Sequence, residues 1–350
     1  MLSLLSRRSA SFISPLIGLN KEQQEIYYLA QQFGEKKLKP FMQELDEKQQ
    51  DLPHSVLKEA AQLGFGGIYV DGNYGGTGLG RIEASIIFES LSQHDVSTTA
   101  YMSIHNMVAF MIDKFGTDAQ KEKYLQELCS MDKLSSYCLT EPGSGSDAAS
   151  LATTAVEQNK HYELNGTKAF ISGAGQTDLY LIMAKTDKKS ISCFIVEKGT
   201  EGLSFGKKEQ KLGWNSQPTR SVILENCKIP KENLLGKQGQ GFKIAMQGLD
   251  GGRINIASCS LGGAYGSMMD TVDYVKNRKQ FGTRIIDFQH SQFKLAEMAA
   301  SLNASRLLVR LAATELDSKS PNATALSASA KMYATDACFD IVNQWYHLLM

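Results

Sequence analysis

Several features are scarce or absent in this chain of 350 residues, and each scarcity excludes a class of protein. Lysine and arginine together number 37, as do aspartate and glutamate, so the net charge is zero and no basic run offers a surface for nucleic acid. No apolar stretch reaches the roughly 18 residues that a membrane span needs. The six histidines and six cysteines form no metal-ligand spacing, so we predict no metal site. We expect buried, reduced thiols at Cys129, Cys138, Cys193, Cys227, Cys259 and Cys338.

Acidic residues are also missing from the start of the chain, where none precedes Glu22. This segment is rich in serine and carries Arg7 and Arg8, a composition typical of mitochondrial transit peptides. We therefore expect residues 1–18 to be a transit peptide and the mitochondrial matrix to be the location of the protein. A merely disordered start is the alternative.

Hydrophobic periodicity divides the rest of the chain into three regions, helical in 19–133, strand-like in 134–235 and helical again in 236–350. The predicted fold class is α+β, with an N-terminal helical domain, a middle β-barrel domain and an incomplete C-terminal helical bundle. We predict helices from Asn20 to before Pro40, from Pro53 to Gly64, and over Ile82–Gln93, Thr99–Lys114, Ala119–Met131, Gln247–Asn277, Gln289–Asp317 and Ala323 to the end; Asp178–Ala184 and Ile191–Val196 are predicted strands.

Local signals sharpen this outline at three places. Asn20 followed by Gln23 is a capping box that predicts a helix start. Asn165-Gly166 predicts a hairpin turn. The glycine-rich stretch 64–80 lacks the ending of a phosphate loop, so we interpret it as a close-packed turn region.

The stretch SSYCLTEPGSGSDAAS, residues 135–150, contains the pattern G-x-G-x-x-A at Gly143, Gly145 and Ala148. This pattern indicates dinucleotide binding only when a strand precedes it and a helix follows. Here the residues after Asp147 predict strands and turns, which argues against a Rossmann fold. A glycine-rich loop can still hold a cofactor through its backbone N–H groups.

Four stretches, in order along the chain, resemble signatures of the acyl-CoA dehydrogenase family: CLTEPGSGSD (138–147), KAFISGAG (168–175), DGGR (250–253) and RKQFG (278–282). The resemblance implies a flavoenzyme that oxidises a short branched acyl-CoA ester with FAD and passes the electrons to electron-transfer flavoprotein. It also implies a homotetramer. A related acyl-CoA oxidase, which passes electrons to oxygen, is a less favoured alternative.

The resemblance further implies roles for individual residues. FAD contacts are implied for Tyr137, Cys138, Leu139, Thr140, Glu141, Pro142, Gly143, Ser144, Gly145, Ser146, Phe170, Ile171 and Ser172, and contacts with a neighbouring subunit's FAD for Arg278, Phe288 and Gln289. Acyl-CoA contacts are implied for Ser146, Asp250, Gly251, Gly252 and Arg253. These roles suit the chemistry, because hydroxyl donors stabilise charge on a reduced flavin and the arginine fork fits a pyrophosphate.

The general base is where the sequence departs from the family pattern. In most relatives a Glu in a late C-terminal segment removes the proton, and this chain leaves the pattern after Gln344. Other relatives place a Glu just before the Arg of the DGGR quartet, where this chain has Gly252. We therefore assign no catalytic residue and expect impaired turnover, since losing a general base typically costs about 10²–10⁴-fold in rate. A non-catalytic chain that binds only FAD, acyl-CoA or partner subunits is the alternative function.

Overall fold

The computed structural model describes residues 13–188 and 190–349. The chain divides into two compact units. The unit called here the helical unit contains Met1–Pro40, Arg81–Val96 and Arg253–Met350, and the one called the sheet unit contains Phe41–Gly80 and Ser97–Gly252.

Helices occupy both ends of the chain and strands its middle, as predicted. The helices are α1 (Lys21–Phe33), α2 (Lys39–Glu47), α3 (His54–Gln62), α4 (Arg81–Ser92), α5 (Val96–Phe115), α6 (Asp118–Cys129), α7 (Gly241–Asn277), α8 (Gln289–Asp317) and α9 (Ala323–Leu349). The strands are β1 (Ser135–Cys138), β2 (Thr154–Glu157), β3 (His161–Ser172), β4 (Leu179–Lys185), β5 (Ile191–Glu197), β6 (Leu203–Phe205), β7 (Thr219–Pro230), β8 (Leu234–Leu235), β9 (Lys279–Gln280) and β10 (Thr283–Arg284). The α+β class is confirmed.

Helix α1 begins at the predicted capping box. The Asn20 side chain accepts a hydrogen bond from the Gln23 backbone N–H at 2.9 Å, and the Gln23 side chain accepts one from the Asn20 N–H at 3.2 Å. The prediction that this helix stops before Pro40 is wrong. A π-helical turn at Gly34–Leu38 leads directly into α2, which runs through Pro40. The π-helical turn accommodates the proline: the Lys39 N–H bonds to the Gly34 carbonyl, five residues earlier, so the helical hydrogen-bond pattern is already shifted where Pro40 supplies no N–H.

Strands β1 to β8 form one sheet in the order β6-β7-β3-β2-β4-β5-β8, with β1 parallel to β4. Successive side chains of the buried strand β4 point into two different cores: Leu179, Leu181 and Met183 belong to the core that includes α5 and α6 residues. Tyr180 and Ile182 belong to the core that includes β3 and β7 residues. The sheet is therefore buried on both faces at β4 and β5, which explains the strongly apolar sequences of these two strands.

The Asn165-Gly166 dipeptide lies inside β3, so the prediction of a hairpin there is wrong. The register between β3 and β7 shifts at this point, and Asn226 on β7 has a φ of 51°. The Asn226 N–H donates to the Asn165 side-chain oxygen at 2.7 Å, so Asn165 stabilises a β-bulge in the partner strand instead of a turn. Gly166 is required because a Cβ there would overlap Thr153.

The glycine-rich stretch 64–80 is a close-packed turn region, as predicted. A Cβ at Gly66 would overlap the Cys129 carbonyl oxygen, and one at Gly76 would overlap the Val70 carbonyl oxygen. The prediction of buried, reduced thiols is also confirmed, because all six cysteines are free and buried.

The helical unit contains a buried ion pair that links α4 to α8. The Arg306 Nε lies 2.7 Å from Glu89 Oε1, and both side chains are 3% exposed. Arg306 and Arg310 also donate to the backbone carbonyls of Ile13 at 3.3 Å and Ile17 at 2.6 Å, and Arg310 donates to Pro15 as well. Residues 1–12, most of the predicted transit peptide, lie outside the described residues.

Candidate functional site

The segments 137–146 and 170–172, which the sequence motifs single out, lie side by side in the sheet unit. The Ala169 N–H donates to the Thr140 carbonyl at 2.9 Å. The hydroxyl of Ser136, on β1, donates to the Ser172 carbonyl at the end of β3 at 2.7 Å. Hydrogen bonds therefore join two motifs that lie about thirty positions apart in the sequence.

A buried ion pair joins the same two segments. Lys168 Nζ lies 2.7 Å from Glu141 Oε1 and donates a second hydrogen bond to the Leu139 carbonyl at 3.2 Å. Burial alone would raise the pKa of the Glu141 carboxyl, but hydrogen bonds from Lys168, Thr153 and Ala152 hold that pKa below its usual value. Burial lowers the pKa of the Lys168 ammonium, which the ion pair opposes.

The Phe170 side chain projects from the sheet because β3 carries a bulge at this residue. The pairing with β7 shifts between Lys168 and Ile171, and Phe170 has a φ of 58°. The extra residue keeps Lys168 and Ile171 both buried and leaves the Phe170 side chain 67% exposed. An exposed aromatic ring thus stands beside the loop that follows β1.

That loop is a tight turn whose side chains divide into two groups. Cys138, Leu139, Glu141 and Ser144 are buried, so they can offer a ligand only backbone atoms. Burial raises the pKa of the Cys138 thiol to about 12, which leaves it unreactive. Tyr137 and Thr140 are half-buried, and Pro142, Gly143, Gly145 and Ser146 are exposed.

The exposed part of the loop carries hydrogen-bond donors that the described chain does not use. The Thr140 hydroxyl and the backbone N–H groups of Gly143, Gly145 and Ser146 make no hydrogen bond with any described residue. A Cβ added at Gly143 or Gly145 would meet nothing within 4 Å. Since the fold does not need glycine at these two positions, a ligand that approaches the backbone closely would explain them.

The quartet predicted to contact acyl-CoA, Asp250–Arg253, lies on α7. Gly251 is buried, and the other three residues are half-buried. A Cβ at Gly252 would lie 3.3 Å from the Met107 sulfur, the flexible part of a side chain on α5. Gly252 is thus closely approached only by a group that can move.

In the helical unit, Arg278 and Phe288 lie on the connection between α7 and α8, and Gln289 is the first residue of α8. The Ile285 N–H donates to the Arg278 carbonyl at 2.9 Å, which folds this connection into a hairpin of β9 and β10. Arg278 and Gln289 are exposed, and Phe288 is half-buried. Their exposure is compatible with the predicted contacts across a subunit boundary.

Comparison with known proteins matches every region of this chain to one family. Family models described as the N-terminal, middle and C-terminal domains of acyl-CoA dehydrogenase match residues 20–132, 136–227 and 239–349. Isobutyryl-CoA dehydrogenase of Bos taurus is 54% identical over 341 residues, which cover 97% of this chain and 82% of the relative. The chain belongs to the acyl-CoA dehydrogenase family. This membership confirms the family predicted from the motifs and the enzyme class, an oxidoreductase.

Solved structures of other family members share the fold. Butyryl-CoA dehydrogenase from Megasphaera elsdenii has a TM-score of 0.91 and 38% identity, covering 95% of this chain and 89% of that one. An FAD complex of PigA has a TM-score of 0.91 and 26% identity, covering 95% of this chain and 88% of that one.

The described residues fit the flavin that an acyl-CoA dehydrogenase uses. Unpaired N–H donors and the free Thr140 hydroxyl suit a polar, anionic cofactor, and the exposed Phe170 ring offers an apolar surface beside them. Among the described residues, no helix is long and apolar enough to cross a membrane.

Lys168 is the residue of this site that sequence reasoning missed. It begins the KAFISGAG motif, yet the motif assigns it no role. The signal was present in the strand pattern, because Lys168 is an even number of residues from the buried Tyr162 and Leu164 and so falls on the same inward face. A lysine on an inward face predicts a buried partner.

Proposed function

We propose that this acyl-CoA dehydrogenase binds FAD against segments 137–146 and 170–172 and forms a double bond between C2 and C3 of isobutyryl-CoA, a step of valine breakdown. Two lines of support combine here. One is the 54% identity to isobutyryl-CoA dehydrogenase over nearly the whole chain. The other, which carries the proposal, is the loop with unused donors at Thr140, Gly143, Gly145 and Ser146 beside the exposed Phe170.

The residues of the loop have distinct chemical parts in this proposal. When bound, FAD would accept the hydride that leaves C3 of the acyl group, and the proton that leaves C2 would pass to a general base, a role that no residue of this chain is assigned. The Thr140 hydroxyl would donate to the flavin ring, since a fixed donor favours the negative charge that reduction brings. The N–H groups of Gly143 and Gly145 would donate to anionic oxygen atoms. Ser146 and the quartet Asp250–Arg253 would hold the acyl-CoA.

The proposal extends to the partners and the location of the protein. Electron-transfer flavoprotein would take the electrons, and the protein would work in the mitochondrial matrix as a homotetramer. The exposed Arg278 and Gln289 and the half-buried Phe288 are compatible with the oligomer, because the family resemblance implies that these residues reach a neighbouring subunit's FAD. An arginine fork suits a pyrophosphate, to which it can donate two hydrogen bonds.

A titration followed by anaerobic mixing tests the function. The purified protein is stripped of flavin and titrated with FAD while flavin fluorescence is followed. The holo-protein is then mixed without oxygen with isobutyryl-CoA or with its straight-chain isomer butyryl-CoA, and the visible flavin absorbance is recorded. We expect FAD to bind, and isobutyryl-CoA to bleach it faster than butyryl-CoA does, with both rates about 10²–10⁴-fold below that of a relative that has the general base.

The same experiment separates the alternatives. FAD binding without bleaching by either substrate would favour the non-catalytic chain, and faster bleaching by butyryl-CoA would contradict the proposed substrate. Thr140→Val is the matched variant, because it keeps the shape of the side chain and removes only the hydroxyl. It should bleach more slowly than the parent while the protein keeps its fold.

A further inference from the structure

The Lys168–Glu141 ion pair is an expensive feature to bury in this position. The Lys168 side chain is 0% exposed and that of Glu141 is 5% exposed. Lysine is almost never fully buried unless it is paired, and removing two charges from water costs free energy that their attraction barely repays. Apolar residues of similar volume would stabilise the fold as well or better. Stability alone therefore does not account for the pair.

The hydrogen bonds of the pair connect the two ends of the glycine-rich loop 142–151. Lys168 on β3 holds the Leu139 carbonyl and the Glu141 carboxylate, at the point where the chain leaves β1. The Glu141 carboxylate in turn accepts hydrogen bonds from the backbone N–H of Ala152 at 2.5 Å and of Thr153 at 3.0 Å, where the loop ends. One carboxylate thus fixes both ends of the loop.

The loop between these two ends carries the unused donors. Gly143, Gly145 and Ser146 lie between Glu141 and Ala152, and a cavity of about 270 Å³ is lined by Glu141–Ser144 on one side and by Ala152 and Thr153 on the other. Hydrogen bonds within the stretch shape its turns: the Glu141 and Ser144 backbones exchange two at 3.0 and 3.1 Å, and the Asp147 carbonyl accepts from the Ser144 hydroxyl at 2.6 Å and the Ser150 N–H at 3.1 Å. These bonds do not tie the turns to β3, so the position of the donors relative to β3 depends on how the loop is held at its base.

We propose that Lys168 and Glu141 are positioning residues for the flavin site: their ion pair fixes the glycine-rich loop 142–151 in the shape that presents its N–H groups to FAD. This inference rests on the proposed function for the identity of the ligand. Neither side chain contacts the ligand, because both are buried beneath the loop.

A substitution series on the full-length chain tests the inference with two measurements. Lys168→Met removes the cation, and the double variant Lys168→Met/Glu141→Gln removes both charges while leaving an amide oxygen for the N–H groups of Ala152 and Thr153. Hydrogen exchange of peptides within 141–153 is measured on the flavin-free protein, and the FAD dissociation constant is measured by fluorescence titration. Both variants should exchange faster in these peptides and bind FAD about 10- to 100-fold more weakly.

Arg306→Met is the matched control. It breaks the Glu89 ion pair, which is equally buried and has the same 2.7 Å separation but contacts no part of the loop. It should lower stability as much as Lys168→Met does, without changing loop exchange or FAD affinity. The inference is overturned if Arg306→Met weakens FAD binding equally, or if the double variant, which leaves no unpaired charge to prevent folding, matches the parent in both measurements.

The two readouts also separate this inference from the proposed function. If the parent chain binds no FAD, the proposed function fails, and loop exchange alone then decides whether the ion pair holds the loop. If the parent binds FAD and Lys168→Met binds it equally well, the positioning role fails and the proposed function stands.

Discussion

Two glycine-rich regions of the sheet unit, 64–80 and 143–145, look alike in sequence and differ in what surrounds them. In the first, Gly66 and Gly76 lie so close to the backbone of Cys129 and Val70 that a Cβ would overlap a carbonyl oxygen. In the second, a Cβ at Gly143 or Gly145 would meet nothing within 4 Å. The fold requires Gly66 and Gly76, whereas it does not require Gly143 and Gly145, whose N–H groups are unused and which a ligand would explain.

Substitution of a packed glycine should have the largest effect. Gly76→Ala forces Val70 to move its backbone, so we expect it to lower the free energy of unfolding by about 3 kcal/mol or more, the upper range for overpacking. Urea denaturation measures this. Gly72→Ala, in the same turn with nothing within 4 Å of the added Cβ, is the control and should change stability by less than about 0.5 kcal/mol. Equal effects of the two would refute the distinction between packed and open glycines.

As the pH falls, the stretch 64–80 should be destabilised before the Glu141 carboxylate at the base of loop 142–151 is protonated. Burial lowers the pKa of His105 to about 4, and its Nε2 lies 2.9 Å from the Leu128 carbonyl, next to the Cys129 on which Gly66 packs. The unfolded chain protonates His105 at a higher pH than the folded chain does. The folded state therefore has its full stability above about pH 6.5, and the free energy of unfolding falls by about 2–3 kcal/mol as the pH drops toward 4. The Glu141 carboxyl, with its lowered pKa, remains ionised over most of this range.

The check is urea denaturation at pH 7 and pH 4.5 of the parent and of His105→Gln. The amide of Gln can keep the hydrogen bond without titrating, so the variant should lose less stability than the parent between the two pH values. An identical loss in both proteins would show that His105 does not titrate in this way.

Substitution of an open glycine should leave the fold intact and act on the ligand. Gly145→Ala is expected to weaken FAD binding roughly tenfold, because the added methyl occupies space beside an N–H that the chain does not use. Its urea midpoint should equal that of the parent. Unchanged FAD affinity, by fluorescence titration, would remove the argument that a ligand explains this glycine.

The smallest effect is expected at Gly252 on α7. Gly252→Ala places a methyl 3.3 Å from the Met107 sulfur, which can shift, and alanine favours a helix over glycine by about 0.5–1 kcal/mol. We therefore expect a slight gain in stability, measured by thermal unfolding. Gly262→Ala on the same helix is the contrast, because its Cβ would overlap the Glu89 carbonyl oxygen and should be clearly destabilising.

The sequence predicted the features that depend on neighbouring residues. The capping box at Asn20, the presence of the predicted helices and the packed stretch 64–80 arise from local patterns, and the structure contains them, although α2 continues through Pro40 and α7 begins at Gly241 instead of Gln247. The family motifs also pointed to the loop after β1. Local reasoning was sufficient wherever the partner lies within a turn or two along the chain.

Features that depend on distant partners were missed. Pro40 is accommodated by a π-helical turn that no simple period predicts. Asn165 bonds to a bulge 61 residues away, which turns a hairpin signal into a strand. Lys168 meets Glu141 across 27 residues, and only the folded sheet brings the two together. The residues that hold the site were therefore harder to predict than the residues that form it.

The carbonyl acceptors of Arg306 and Arg310 bear on where the predicted transit peptide would be cut, if the protein is imported into mitochondria as proposed. A protease that cut after residue 18, the predicted end of the transit peptide, would remove the Ile13 and Ile17 carbonyls to which these arginines donate. Two largely buried guanidinium groups on α8 would then lose acceptors. We therefore expect the processing site to precede Ile13, so that the first residues of the mature chain close its helical unit; sequencing of the N-terminus after import would locate the cut.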